Sequence, residues 1–205
     1  MPVNPGLCIC SRLDDGKQWL SRGSRFRWLS ALPGASTIPG KNIGEDGEPM
    51  ALSELVNGYA QPGTVMWIGV RPQRRAPVLS LSSVLITETG IEGDHRVKAG
   101  KRAVSLIQSE HLSVIAALAN TDVVAPEALR RNFVVSGINL LGLRNRSFRI
   151  GEAILRGTGI CAPCSRMEEN LGPGGYAAVR GHGGITADII SPGRVSLQDQ
   201  VEPLK

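Results

Sequence analysis

Cys161 and Cys164, three residues apart in Cys161-Ala-Pro-Cys164-Ser-Arg-Met, are the side chains of this sequence best suited to chemistry. Cysteine is both a strong soft nucleophile and a soft metal ligand, so the pair points to sulfur or metal chemistry. Arg166 follows directly, then the Gly-rich stretch Gly172-Pro173-Gly174-Gly175-Tyr176, then a second polar cluster, Arg180-Gly181-His182-Gly183-Gly184. If Cys164 stands at the start of a short helix over 165–170, the helix N-terminus and Arg166 would both favour its thiolate. Successive glycine amides at 181–184 would form either an anion-binding nest or a plain tight turn. Asn132, after Arg130-Arg131 and before a β-type stretch, is a candidate to bridge a loop or bind a ligand amide. His95 and Lys101-Arg102 read as loop residues that could rim such an anion, and Glu168-Glu169 as a solvated helix face.

Other chemistries are poorly served. A structural zinc site needs four ligands; the remaining cysteines, Cys8 and Cys10, lie far upstream, and no histidine pair has zinc spacing. A thioredoxin-type couple usually opens a helix within a βαβ unit near the start of a domain, whereas this pair sits late in a β-rich chain. A dithiol redox protein stays open as an alternative, as do two inert buried thiols. There is no Ser-His-Asp spacing, no phosphate-binding Gly-Lys-Ser loop and no paired catalytic carboxylates.

The elements that must position these residues are short. The 205 residues include 25 Gly and 13 Pro and only 4% aromatics, so the core must be built from Val, Ile, Leu and Ala between many turns. Strands are predicted over 64–70, 78–81, 83–87, 104–107, 133–136, 147–150, 153–156, 185–190 and 195–201, from β-branched runs bounded by turn residues. Ser53 is read as the cap of a short helix over 54–59 and Ser109 as the cap of a longer one through Leu118. Pro126 should open a third helix over 127–131, with a loop at 90–95. Many short strands without regular strand–helix alternation predict a mainly β fold, an all-β barrel with a few short helices.

Residues 1–60 balance their acidic and basic side chains, so the net charge of +5 lies wholly in 61–205. The basic runs are short: Arg74-Arg75, Lys101-Arg102, Arg130-Arg131. They suit an anionic pocket better than nucleic acid, since no basic stripe is interleaved with aromatics. No apolar run reaches the ~20 residues of a membrane helix, and no secretory signal is recognisable. Free thiols in a reducing, cytoplasmic setting are therefore expected. Residues 1–50 show no clean period and read as an extension, disordered or upstream of the native start, with Met50 as an alternative initiator. The main domain then spans 51–205.

Several stretches together resemble the MOSC domain family, named for the C-terminal domain of molybdenum-cofactor sulfurases, in its short stand-alone bacterial form. They are Met66–Pro72, Gly93-Asp94-His95, Arg102–Gln108, Arg131–Leu140, Phe148–Ala153, Gly159–Glu168 and Gly181–Ala187. The resemblance implies a β-barrel with a cysteine in a cleft, which carries sulfur as a persulfide or ligates molybdenum. Cys164 matches that cysteine best, with Cys161 beside it. It further implies that Arg131, Asn132, Arg166, Arg180 and His182 line the pocket of a molybdenum cofactor (molybdopterin). Family members of this kind reduce N-hydroxylated compounds, with electrons from a separate protein. Other members follow a desulfurase domain, which is lacking here, so a sulfur carrier would take persulfide from a separate cysteine desulfurase. One departure stands out: the family's Gly-Asp near the C-terminus is Gln198-Asp199 here.

Overall fold

The computed structural model describes residues 51–204; the expectations for residues 1–50, including Cys8 and Cys10, lie outside them. Ten strands are present in this region: β1 Gly63–Val70, β2 Leu79–Leu81, β3 Ser83–Ile86, β4 Val104–Gln108, β5 Phe133–Ser136, β6 Ser147–Ile150, β7 Ala153–Ile160, β8 Ile185–Ser191, β9 Gly193–Ser196 and β10 Gln200–Pro203. Between them lie helices α1 Leu52–Asn57, α2 Glu110–Leu118, α3 Pro126–Leu129, α4 Arg166–Leu171 and α5 Gly175–Val179.

Seven strands close on themselves in the order β1-β10-β6-β7-β8-β4-β5, with β5 returning to β1. The fold is therefore mainly β, a closed barrel with few short helices. Strand β2 extends β1 beyond the ring, and β3 pairs with β9 in a separate ribbon. Alternation decides which side chains fill the barrel. Val104, Leu106, Phe133, Val135, Ile185 and Ala187 point inward and are buried with Val65, Ile68 and Phe148. Register shifts between Val65 and Trp67 on β1, and twice along β7, mark irregularities of the kind that bend strands and help a small barrel close.

Strands β4 and β5 are parallel, so they require a crossover rather than a hairpin. Helices α2 and α3 form it. Their apolar residues Ile115, Ala116 and Leu129 pack with Ile107 and Val134 from the outer faces of β4 and β5, and with Met167, Ala178 and Val179 from α4 and α5. This second core covers one part of the barrel's outer wall. The crossover also delivers Arg130, Arg131 and Asn132 to the head of β5.

The structure departs from the sequence reading at several ends. Helix α1 starts at Leu52, behind Ala51, whose amide is held by Glu54 at 3.1 Å, instead of behind a Ser53 cap. Ser109 precedes α2, but its hydroxyl makes no capping bond. Helix α3 stops at Leu129, two residues early, because Arg130 turns left-handed (φ 57). The stretch 195–201 is two strands, broken where Gln198 takes φ 71 and Asp199 accepts from the Ser196 amide at 2.7 Å. The glycines at 172–176 contain the start of α5, whose first amides are bound by Glu168 through Gly174 (2.8 Å) and Tyr176 (2.9 Å). Glu168 is thus a helix cap, and those bonds hold its carboxyl below the usual range. No helix among the described residues is long and apolar enough to cross a membrane.

Candidate functional site

Strands β7 and β8 are neighbours in the barrel, and the excursion between them carries both thiols. The chain leaves β7 at Cys161, whose amide donates to the Gly184 carbonyl at 2.8 Å, runs through α4 and α5, and re-enters β8. Cys161 is buried, Cys164 exposed, and both are free. Two glycines make this closure possible. A Cβ on Gly183 would lie 2.4 Å from the Cys161 carbonyl oxygen, and one on Gly184, where φ is +81, only 1.9 Å from that of Leu106. The glycines at 183–184 therefore serve close backbone packing.

Arg131 fastens the excursion from beneath. Its Nε donates to the Gly183 carbonyl (2.8 Å), Nη1 to Leu129 (2.9 Å) and Nη2 to Cys161 (3.4 Å). The guanidinium is buried, with carbonyls and no carboxylate as partners. Burial lowers its pKa, thiolate charge at Cys161 or Cys164 would oppose that shift, and Arg71 and Arg102 add to it.

Asn132 and Asp94 form the adjoining network. Asn132 Oδ1 accepts from the Ser105 hydroxyl (2.7 Å) and amide (3.2 Å), while Nδ2 donates to the Gly69 carbonyl (3.2 Å) and to Asp94 Oδ2 (3.1 Å). Asp94 also accepts from Arg71 Nε (3.1 Å), the Arg71 amide (3.2 Å) and the Arg96 amide (3.0 Å), with His95 Nδ1 at 3.0 Å. Burial alone would raise the Asp94 pKa; the Arg96 hydrogen bond and the charge and hydrogen bonds of Arg71 outweigh it and hold the carboxyl below its ordinary value. One buried carboxylate thus orients the Arg71 guanidinium and the His95 ring and fixes the backbone at Arg96.

Above this network lies a cleft of about 160 Å³. Arg71, Arg96, Arg102, Arg130 and Arg131 line it, together with His95, Ser105, Asn132, Thr186, Cys161 and Cys164. Arg71 Nη1 donates to the Arg130 carbonyl (3.2 Å), and Arg130 Nη1 to that of Ala76 (3.1 Å). Burial, and then the like charges of Arg71 and Arg166, lower the Arg130 pKa. Arginine stays protonated regardless, so the cleft holds mutually repelling cations beside an exposed thiol. An anion is the ligand that relieves this repulsion. A larger groove, about 1110 Å³, runs beside α1 and is lined by Glu54, Tyr59, Arg146 and Glu202, but it contains no thiol.

The cleft brings together four of the sequence candidates, Cys161, Cys164, Arg131 and Asn132, with Arg131 and Asn132 tied into the protein scaffold. Arg166, Arg180 and His182 do not line it. Arg166 is paired with Glu169, Arg180 is exposed, and the His182 ring packs edge-on against His111 with centroids 5.2 Å apart. His95 and Arg102, read only as a rim, are lining residues. Arg71, Arg96 and Ser105 were missed, and Arg130 was read only as part of a basic run suited to an anion. For Arg71 and Ser105 the available signal was positional, since they stand at the end of β1 and the start of β4, where side chains converge.

Comparison with known proteins agrees with this architecture. Residues 91–202 match the family model described as the MOSC domain. Among solved structures, the YuaD protein of Bacillus subtilis superposes with TM-score 0.63 at 20% identity, over 70% of this chain and 96% of that one. YiiM of Escherichia coli gives TM-score 0.55 at 21% identity, over 69% and 70%. YiiM of Geobacillus stearothermophilus gives 0.59 at 15%, over 70% and 76%. No curated protein sequence matches the chain.

Proposed function

The chain belongs to the MOSC domain family, and from that premise we propose that it binds molybdenum cofactor in the arginine-lined cleft, with Cys164 as the metal's protein ligand. The observation that carries this reading is an exposed, free thiol in a cleft with five arginines. The residues fit such a group. Among the described residues no cluster of three or more His, Cys, Asp or Glu could hold a bare metal ion. A metal that arrives already chelated by an anionic pterin dithiolene needs only one soft protein ligand and cationic walls.

When bound, the cofactor would supply two-electron chemistry for reduction of an N–O bond in a small N-hydroxylated substrate. The chain's own residues bind and orient. Arg71 and Arg130 would hold the anionic part, Asp94 fixes the direction of Arg71 and the Ala76 carbonyl that of Arg130, and Arg131 ties down the thiol loop. In this reading the electrons come from a separate protein and the setting is cytoplasmic.

Metal and pterin analysis of the purified protein beside Cys164→Ala tests the reading. Stoichiometric molybdenum and pterin in wild type, lost in the variant, is the expected result. One observation favours a second reading, a sulfur carrier loaded by a separate cysteine desulfurase: Cys164 is solvent-exposed while Cys161 is shielded. That reading requires no molybdenum in either protein and one extra sulfur atom in the mass of wild type only. A reversible Cys161–Cys164 disulfide with neither signal would instead make the chain a dithiol protein.

A further inference from the structure

Eight consecutive residues between Asp94 and β4, His95 to Arg102, are exposed. Arg96, Lys98, Lys101 and Arg102 are cationic, and the stretch holds no carboxylate. Val97, among them, is 67% exposed. The segment is fastened to the barrel at both ends. The His95 amide donates to the Arg71 carbonyl at 2.7 Å, the Ala103 amide to that of Gly100 at 2.9 Å, and Thr158 Oγ1 to that of Lys101. Just beyond Arg71, Arg74 and Arg75 form a second exposed basic turn. None of these six cations joins an ion pair among the described residues. Arg96 and Arg102 line the cleft while Lys98 and Lys101 do not, so the positive charge extends beyond the cleft. An apolar side chain flanked by charge fits a protein interface with a polar rim. A nucleic-acid strand would call for aromatic side chains to stack on, and the segment has none.

We propose that this segment, with Val97 at its centre and Lys98 and Lys101 outside the cleft, is the docking surface for the acidic face of the redox protein that delivers electrons. The inference rests on the proposed function for the partner's being an electron donor; the charge and the exposed valine are the chain's own. Reducing an N-hydroxyl group to N–H and water takes two electrons and two protons. The partner, a reduced flavin or iron–sulfur protein, gives up the electrons, and solvent supplies the protons. A positive surface beside the cleft steers an acidic partner to it, and salt weakens that attraction.

Calorimetric titration of the full chain with two acidic redox proteins, a flavodoxin and a two-iron ferredoxin, at low and at physiological salt, is the test; a short DNA duplex is titrated alongside. At least one of the proteins should bind at low salt and about tenfold more weakly at physiological salt. Lys98→Ser/Lys101→Ser should weaken that binding about tenfold, and Val97→Ser about threefold. Arg149→Ser/Arg194→Ser removes the same charge from exposed residues elsewhere that do not line the cleft, and should leave the affinity near wild type. Cys164→Ala should bind the acidic proteins like wild type, so loss of molybdenum in that variant and failure of the docking surface are separate results. Three outcomes overturn the proposal: no binding of either protein at low salt, an equal loss in the two double variants, or tighter binding of the duplex that Val97→Ser leaves untouched, which would make the surface a nucleic-acid site.

Discussion

Two parts of the barrel's outer wall treat polar side chains in opposite ways. Over β8, β4, β5 and β1, the outward positions Thr186, Ser105 and Asn132 lie beneath the cleft and are satisfied within the protein. All four buried polar or charged residues among those described, Asp94, Arg131, Asn132 and Thr186, belong to this region. Over β6 and β7, outward residues such as Arg149 and Arg156 face water, and Arg156, paired at 2.6 Å with Asp188 of the neighbouring β8, keeps its side chain 55% exposed. The Arg71–Asp94 pair has its carboxylate 2% exposed. A buried charge is costly unless every partner is present. Its concentration at one place is what distinguishes a site from a surface.

The comparison breaks most visibly at Asp94. Asp94→Ala strands Arg71 and Asn132, and should cost about 3–5 kcal/mol in denaturant unfolding, whereas Arg149→Ala on the solvated wall should leave the unfolding midpoint almost unchanged. An equal effect would erase the distinction between the walls. The loop glycines come next. Gly183→Ala pushes a methyl onto the Cys161 carbonyl and should cost roughly 1–3 kcal/mol, as overpacking does. Gly181→Ala meets nothing within 4 Å and suffers only its positive φ, about 1 kcal/mol; comparative thermal melts would rank them.

A pH series sharpens the same contrast. Because the folded Asp94 carboxyl titrates below its ordinary value, its contribution is fully present above about pH 4 and is lost as pH falls through the lower folded value. Acid unfolding of wild type should therefore be steeper than that of Asp94→Asn. The smallest expected effect lies at the turn before β10. Gln198 holds φ 71, a backbone region that glycine adopts without steric cost, so Gln198→Gly should stabilise the fold by about 0.5–1 kcal/mol, read as a raised melting temperature.

Much of the fold was legible from the sequence, for identifiable reasons. β5 and β6 appear with the predicted bounds because their runs are apolar and end at turn residues. β4 gained only Gln108. The split of 195–201 into β9 and β10 was hidden, because Gln198 carries no turn preference and only Asp199 supplies the bond that makes the turn. At the cleft, the thiols were legible from their spacing, and Arg131 and Asn132 from their place before a strand. Arg71 and Arg96 were not, because a buried carboxylate joins the Arg71 side chain to the Arg96 backbone from segments apart in sequence. His182 misled for the opposite reason: adjacency to glycines suggested a ligand loop, while packing turned its ring toward His111.

The central claim is that Cys164 ligates a metal held in the basic cleft. X-ray absorption fine structure at the molybdenum edge, on wild type and Cys164→Ser purified from cells with an intact cofactor pathway, tests it most directly. The expected result is one fewer sulfur neighbour around molybdenum in the variant. An unchanged sulfur shell, or wild-type protein that carries no molybdenum at all, would contradict the account.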